Sequence, residues 1–204
     1  MRHIKVLGIT GGVGAGKSTV LAYLENRYGA KVIQLDRVAH ELMEPGGASY
    51  APILDEFGKD LLEKDGRISR FALYQKTFGD RKKVEKLNAI VHPLVKLRVK
   101  ELLEEERMHG KAPFAVLEAA LLLEDHYEEI CDQIWFIYVD REVRMKRLEA
   151  SRGYTEEKTE EILKNQKKDE EFCNLCQFVV DNSSDILENT YGQIDRGLKE
   201  NGFL

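Results

Sequence analysis

The sequence predicts an α/β protein, with one sheet of five parallel strands covered by helices on both faces. Five short apolar runs rich in Val, Ile, Leu and Phe alternate with helical stretches, without the strict alternation typical of a half-exposed strand. A glycine-rich loop directly follows the first run. Residues 36–113, far more than one crossover helix needs, separate the second run from the third. These observations favour a parallel α/β core that carries a helical insertion.

The predicted strands define a core that we assign to residues 1–37 and 112–204. Parallel α/β sheets bind ligands at the carboxyl edge of their strands. The glycine-rich loop leaves the first strand at that edge. The five strands are predicted at Ile4–Thr10, Lys31–Leu35, Phe114–Glu118, Gln133–Val139 and Phe178–Val180.

The glycine-rich loop, GGVGAGKS from Gly11 to Ser18, has the phosphate-binding pattern GxxxxGK(S/T) between a predicted strand and a predicted helix that ends at Gly29. Glycines let backbone N–H groups approach a polyphosphate, and the helix N-terminus carries partial positive charge. Lys17 is predicted to bind the outer phosphates, and the Ser18 hydroxyl to complete the coordination of Mg²⁺. The alternative is an ordinary glycine-rich turn. We predict a P-loop NTPase core that binds a nucleoside triphosphate.

Asp36 is the next candidate, because it ends the second predicted strand, KVIQLD, at the same sheet edge. A carboxylate there can accept the proton of a substrate hydroxyl, or orient that hydroxyl for in-line attack on the γ-phosphate. The alternative is a helix N-cap, since the helical segment RVAHELM follows directly. The two interpretations are compatible.

The insertion, residues 38–111, is predicted to be a helical substrate-binding subdomain. Its helices are separated by a Pro-Gly-Gly break and an Asp-Gly turn, and Ser69 is a predicted N-cap. Pro93 is expected to divide the long last helical region because it cannot donate to the preceding turn. The helical segments are predicted at residues 40–44, 49–57, 70–78 and 80–109.

A second charged stretch, about residues 144–172, is predicted to form a lid over the transferred phosphate. It carries Arg144, Arg147 and Arg152, and Gly153 offers a flexible turn between two helices. The alternative is a solvated helical pair with i, i+4 partners such as Glu160 and Lys164.

Composition limits the classes of function. A net charge of −5 and a pI near 5.7 argue against a general nucleic-acid surface, and no segment approaches the ~20 apolar residues of a membrane span. The first apolar run is too short for a signal peptide, so we expect a cytoplasmic protein. Cys173 and Cys176 form a C-x-x-C pair, but it precedes a strand and no second ligand pair has zinc spacing. Reduced thiols are expected.

Several motifs occur in one order across nearly the whole chain, and together they resemble the dephospho-coenzyme A kinase family. The resemblance implies ATP-dependent phosphorylation of the ribose 3′-hydroxyl of dephospho-CoA, which gives CoA and ADP in the last step of coenzyme A biosynthesis. It also implies a core, a CoA-binding subdomain and a lid, with ATP and dephospho-CoA as small-molecule partners. We expect a monomer or a weak homo-oligomer. The motifs are GITGGVGAGKST, VIQLDRVAHEL, PGG, DGRISR, NAIVHPLV, ALLLE, RLEASRG and VVDN.

The resemblance also implies roles for particular residues. Asp36 would be the catalytic base, Lys17 would act with it, and Arg152 would stabilise the transferring phosphoryl group. Thr10 and His92 would lie near the acceptor; the alternative for His92 is a helix-junction residue fixed by Pro93. The ATP-binding residues would be Gly12, Gly14, Ala15, Gly16, Lys17, Ser18, Thr19 and, near the adenine, Asn182, whose alternative is a turn residue.

The chain departs from the family pattern in several places, among them the end of the third predicted strand, the lid, which is apparently one residue shorter than usual, and Cys176-Gln177. Glu118 stands where an aspartate is common, and Ala120 where a proline is usual. Two other functions stay open: another P-loop kinase that phosphorylates a nucleoside or nucleotide, and a GTP-binding switch. The switch is disfavoured because NQKKD (165–169) has the wrong spacing for a guanine motif, and DEFG (55–58) ends a helical segment.

Overall fold

The structure, a computed structural model, describes residues 3–164 and 169–204. Its five strands agree with the predicted ones to within one residue at each end. The strands are β1 Lys5–Thr10, β2 Lys31–Gln34, β3 Phe114–Glu118, β4 Gln133–Tyr138 and β5 Phe178–Asp181. The prediction of strand positions from apolar runs is therefore confirmed.

Helices connect and flank the strands, and short 3₁₀ turns lie at Lys59–Leu61 and Tyr127–Glu129. The predicted lid includes residues 165–168, and the NQKKD segment spans residues 165–169. Residues 165–168 lie outside the described residues. The helices are α1 Lys17–Tyr28, α2 Leu35–Met43, α3 Tyr50–Phe57, α4 Arg70–Thr77, α5 Arg81–His109, α6 Arg141–Arg152, α7 Glu156–Lys164, α8 Asp169–Leu175 and α9 Leu187–Glu200.

The strands form one sheet in the order β2-β3-β1-β4-β5, with β1 at its centre. Strand β1 is parallel to β3 and to β4, and β4 is parallel to β5. Residues from both faces of the sheet are buried: Leu7 and Val116 on one face, and Leu117 and Phe136 on the other, are fully enclosed. The α/β class with a central parallel sheet is confirmed.

The chain forms two compact units. The first unit is Met1–Val32 with Glu106–Leu204, and the second unit is Ile33–Glu105. The second unit is helical, and its apolar core contains Ile53, Phe57 and Leu61. A role for this unit in binding CoA stays a prediction.

Helix α5 continues through Pro93, so the expectation that this proline divides the helical region is wrong. Proline costs an isolated helix about 3 kcal/mol, because it lacks an N–H and its ring crowds the preceding turn. Burial on either side of Pro93 offsets that cost: Ile90 and Val91 pack on the core of the second unit, and Val95 is buried.

The described part of the chain contains no helix that is both long and apolar enough to span a membrane.

Candidate active site

The phosphate loop has a backbone that only glycine accommodates at two positions. Gly14 and Gly16 adopt left-handed conformations, with φ of 82° and 79°. A Cβ on Gly16 would lie 2.4 Å from the Asn182 Nδ2, and one on Gly14 would lie 2.9 Å from the Leu148 Cγ. The loop therefore packs tightly against the segment that follows β5 and against α6. Within it, the Ala15 N–H donates to the Gly12 carbonyl at 3.2 Å.

Lys17 begins α1 and folds back along the loop. Its Nζ donates to the Gly11 carbonyl at 2.8 Å and lies 3.6 Å from the Glu118 Oε1. Both side chains are largely enclosed, at 16% and 11% exposure. The sequence analysis did not assign Glu118 to the site, although it ends β3 next to β1. The sequence did contain a signal for Glu118, because it is a carboxylate at the carboxyl end of a buried strand. The same argument was applied to Asp36.

Ser18 and Thr19 complete the first turn of α1. The Ser18 side chain is exposed and forms no hydrogen bond with another described residue, while the Thr19 N–H donates to the Gly16 carbonyl at 3.0 Å. Residues 3–164 and 169–204 contain no group of three His, Cys, Asp or Glu side chains suited to a metal. A hydroxyl at this place fits Mg²⁺ bound mainly by phosphate oxygens and water, which needs few protein ligands.

Asn182 fixes the loop after β5 to the phosphate loop. Its Nδ2 donates to the Ala15 carbonyl at 2.9 Å, and its Oδ1 accepts from the Thr190 hydroxyl at 2.9 Å. The residue is only 3% exposed. Because both ends of the amide are used inside the protein, contact between its side chain and an adenine stays a prediction. Its structural role is already visible in these two hydrogen bonds.

Arg147 of α6 supports the same loop. Its Nη1 donates to the Asn182 carbonyl at 2.8 Å, and its Nη2 donates to the Ser184 carbonyl at 3.4 Å. Its Nη1 also lies 3.8 Å from the place where a Gly16 Cβ would be. The sequence analysis grouped Arg147 with the lid cations, but the structure shows it bonded to the loop after β5.

Arg144 and Arg152, the other two arginines of the predicted lid on α6, differ sharply in burial. Arg144 is 4% exposed, and its Nη2 donates to the Val139 carbonyl at 3.1 Å and to the Asp169 carboxylate at 3.3 Å. Arg152 is exposed at the end of the helix, where its guanidinium lies 5.8 Å from the centre of the Tyr154 ring. Gly153 follows in a left-handed conformation that ends α6. Arg152, unlike Arg144, is thus accessible to a ligand.

Thr10 is fully buried at the end of β1. Its hydroxyl donates to the Ala120 carbonyl at 3.3 Å, which joins the end of β1 to the segment that follows β3. This contact accounts for a polar side chain at a buried position. Contact between Thr10 and an acceptor stays a prediction.

Asp36 and His92 lie in the second unit. The expectation that Asp36 ends the second strand is wrong: β2 ends at Gln34, α2 begins at Leu35, and Asp36 is in the first helical turn. Its exposed carboxylate there is favoured by the helix dipole. His92 is half-buried within α5, immediately before Pro93. The structure leaves their predicted roles as predictions.

The three cysteines are free thiols. Burial raises the pKa of Cys176 to about 12, with a smaller contribution from Cys173, and burial also raises the pKa of Cys173. Redox and zinc chemistry need the thiolate, which these environments disfavour. The structure thus gives no support for a functional C-x-x-C pair.

The comparisons with known proteins agree with the motif order. The family model described as dephospho-CoA kinase matches residues 5–188. The chain belongs to the dephospho-CoA kinase family. A dephospho-CoA kinase of Carboxydothermus hydrogenoformans is 36% identical over 95% of this chain and 93% of that protein. Another, of Geobacter sulfurreducens, is 36% identical over 97% and 96%.

Solved structures show the same fold. A crystal structure of a Thermus thermophilus protein has a TM-score of 0.80 at 29% identity, and covers 98% of both chains. The dephospho-CoA kinase of Campylobacter jejuni has a TM-score of 0.63 at 23% identity, over 97% of each chain. A shikimate kinase of Bacteroides thetaiotaomicron has a TM-score of 0.57 at 14% identity, over 97% of this chain and 98% of that one. The family's fold is therefore shared with other small-molecule kinases.

Proposed function

We propose that this chain transfers the γ-phosphoryl group of ATP to the ribose 3′-hydroxyl of dephospho-CoA, which yields CoA and ADP. The observation that carries the proposal is a complete phosphate loop within a chain that matches the dephospho-CoA kinase family over residues 5–188. The loop supports a nucleoside triphosphate as donor. The family match supports dephospho-CoA as acceptor.

The phosphate loop would bind the triphosphate through backbone N–H groups and the N-terminus of α1. Lys17 would then exchange its bond to the Gly11 carbonyl for the outer phosphates. Glu118, 3.6 Å from the Lys17 Nζ, would help to keep the ammonium near the loop. Asn182 and Arg147 would hold the loop after β5, so that the base binds to a fixed surface.

Mg²⁺ would be held by the Ser18 hydroxyl together with phosphate oxygens. When bound, it supplies positive charge that offsets the charge of the phosphates during transfer. The exposed Ser18 side chain at the start of α1 supports this assignment.

Asp36 would accept the proton of the 3′-hydroxyl as its oxygen attacks the γ-phosphorus. The new P–O bond forms while the bond to the β,γ-bridging oxygen breaks, so ADP leaves with the bonding electron pair. The exposed carboxylate of Asp36 supports this role, because it needs no rearrangement of the core to meet a hydroxyl. Exposed Arg152 would offset the charge on the transferring group.

The test is an ADP-release assay with ATP and Mg²⁺, in which dephospho-CoA is compared with a panel of nucleosides and nucleotides. We expect turnover with dephospho-CoA to exceed that with every nucleoside, and mass spectrometry to show a product that is one phosphate heavier. A preference for a nucleoside acceptor would contradict the proposal.

Two further expectations accompany the proposal. The chain is expected to act in the cytoplasm and to be a monomer or a weak homo-oligomer. Size-exclusion chromatography with light scattering at several protein concentrations measures the second of these directly.

A further inference from the structure

A cavity of about 550 Å³ lies within the second unit, between α2 and the segment that leads into α4. His40 of α2 and Glu44, which follows that helix, line one side, and Arg67, Arg70 and Phe71 line the other. Phe71 is 72% exposed, an unusual position for a large aromatic side chain. The cavity thus combines arginine side chains with an accessible aromatic ring, a combination that suits a ligand with both phosphate and aromatic groups.

The segment that carries the two arginines is held firmly. Leu62 and Ile68 form an antiparallel bridge, and the Glu63 N–H donates to the Arg67 carbonyl at 2.9 Å. The Tyr50 hydroxyl donates to the Gly66 carbonyl at 2.6 Å. This side of the cavity is therefore fixed before a ligand binds, which lowers the entropic cost of binding.

The two arginines have different partners. Arg67 is paired with two carboxylates, since its Nε lies 3.2 Å from the Glu44 Oε2 and 3.8 Å from the Asp65 Oδ2. Arg70 has no carboxylate partner among residues 3–164 and 169–204; its Nη1 donates to the His40 Nε2 at 3.0 Å. A guanidinium without a counter-charge, beside an imidazole, leaves positive charge for an anion.

The position of His40 relates the cavity to Asp36. The two residues are four apart on α2, so they lie on the same face of the helix, about 6 Å apart along its axis. Both are exposed. An acceptor whose ribose 3′-hydroxyl is at Asp36 would therefore bring the phosphates on its ribose 5′-oxygen toward His40, because the separation is on the scale of one sugar ring.

We propose that Arg70, together with His40, binds the diphosphate of dephospho-CoA in this cavity. The proposal rests on the proposed function and assigns a subsite for its acceptor. Arg70 is a binding residue that sets the KM for dephospho-CoA, and the chemistry remains with Asp36.

The experiment measures KM for dephospho-CoA, KM for ATP and kcat in the wild-type protein, Arg70→Met, Arg70→Lys and Arg67→Met. For Arg70→Met we expect KM for dephospho-CoA to rise at least tenfold, with KM for ATP within about twofold and kcat within about threefold. The KM of Arg70→Lys for dephospho-CoA should lie between those of Arg70→Met and wild type, because lysine keeps the charge. Arg67→Met is the matched control from the same cavity, and we expect it to raise KM less than threefold.

A second readout tests that the contact is with an anion. KM of the wild-type protein should rise with ionic strength, and this dependence should be weaker in Arg70→Met. Glu63 also lines the cavity, so Glu63→Gln should lower KM for dephospho-CoA, by about twofold. Melting curves verify that each exposed substitution leaves the fold intact.

The outcomes separate the two proposals. Absence of dephospho-CoA phosphorylation by the wild-type protein would overturn the proposed function. Normal wild-type turnover with an unchanged KM in Arg70→Met, or with equal effects of Arg70→Met and Arg67→Met, would overturn the diphosphate subsite alone. A selective rise in KM for ATP would assign Arg70 to the donor instead.

Discussion

The candidate functional residues of the two units differ in how far they are built into the protein. In the first unit, Asn182 is 3% exposed and Thr10 is fully buried, and each side chain is hydrogen-bonded to the backbone of another segment. In the second unit, Asp36, His40 and Arg70 are exposed on or near helix surfaces. Substitutions of the enclosed residues should therefore affect activity and stability together, whereas substitutions of exposed residues should affect activity alone.

Asp36→Asn is expected to give the largest effect. It should lower kcat about 10³-fold, because the amide cannot accept the hydroxyl proton. It should shift Tm by only a few degrees, because it removes just a charge from an exposed first turn. Steady-state kinetics, calorimetric titration with ATP and a melting curve measure these quantities. Glu41→Gln, also exposed on α2, is the control; an Asp36→Asn protein with near-normal kcat would rule out the base assignment.

Lys17→Met should lower kcat about 10²- to 10³-fold, and unlike Asp36→Asn it should also weaken ATP binding. Stability should fall by about 1–3 kcal/mol, because the enclosed Glu118 loses a charged neighbour. Chemical denaturation together with ATP titration tests the coupling of the two effects. The control is Lys31→Met, at an exposed position at the start of β2, which should change neither ATP binding nor stability. Wild-type stability in Lys17→Met would contradict the comparison of the two units.

The arginines of α6 test the comparison inside a single helix. Arg147→Ala removes two hydrogen bonds to the loop after β5, so KM for ATP should rise about tenfold and Tm should fall. Arg152→Ala removes an exposed cation, so kcat should fall about 10²-fold with Tm unchanged. Kinetics at saturating dephospho-CoA separate the two patterns. If Arg147→Ala and Arg152→Ala had the same kinetic constants and the same Tm, burial would not explain how these side chains act.

Tyr28→Phe should give the smallest effect. The hydroxyls of Tyr23 and Tyr28 both donate to the Asp195 Oδ1, at 2.8 and 2.7 Å, and so join α1 to α9. Loss of one bond should cost about 1 kcal/mol and leave turnover near normal, since the phosphate loop is untouched. Urea denaturation and the ADP-release assay measure both. A large loss of turnover would show that activity depends on the position of α1 more strongly than its contacts indicate.

The same tyrosine gives a dependence on pH. Burial and then the bond to Asp195 raise the pKa of Tyr28 above the value of about 10 that it has in the unfolded chain. Its stabilising contribution is therefore complete below about pH 10 and is lost as the pH rises through the higher folded-state pKa. Tyr28→Phe should be less sensitive than wild type to alkaline unfolding. Equal sensitivity of the two proteins would assign the alkaline transition to other groups.

Local sequence patterns predicted much of the fold and part of the site. The five strands were located to within a residue because buried parallel strands are continuous apolar runs between turn signals. The prediction that Pro93 divides the helical region was wrong, because the burial of neighbouring residues outweighs the low helix propensity of proline. Asp36 was placed two residues past the actual end of β2, because strand and helix meet there without a loop.

The sequence by itself determined the phosphate loop, the order of strands and helices along the chain, and the dephospho-CoA kinase family. Those features depend on residues that are neighbours in the chain, where glycine spacing and apolar periodicity act directly on the backbone. Only the tertiary structure decided that Arg147 supports a loop while Arg152 is exposed, that Glu118 accompanies Lys17, and that Arg70 lacks a carboxylate partner among the described residues. Each of these depends on which distant segments pack together, because burial and partners fix the charge environment of a side chain.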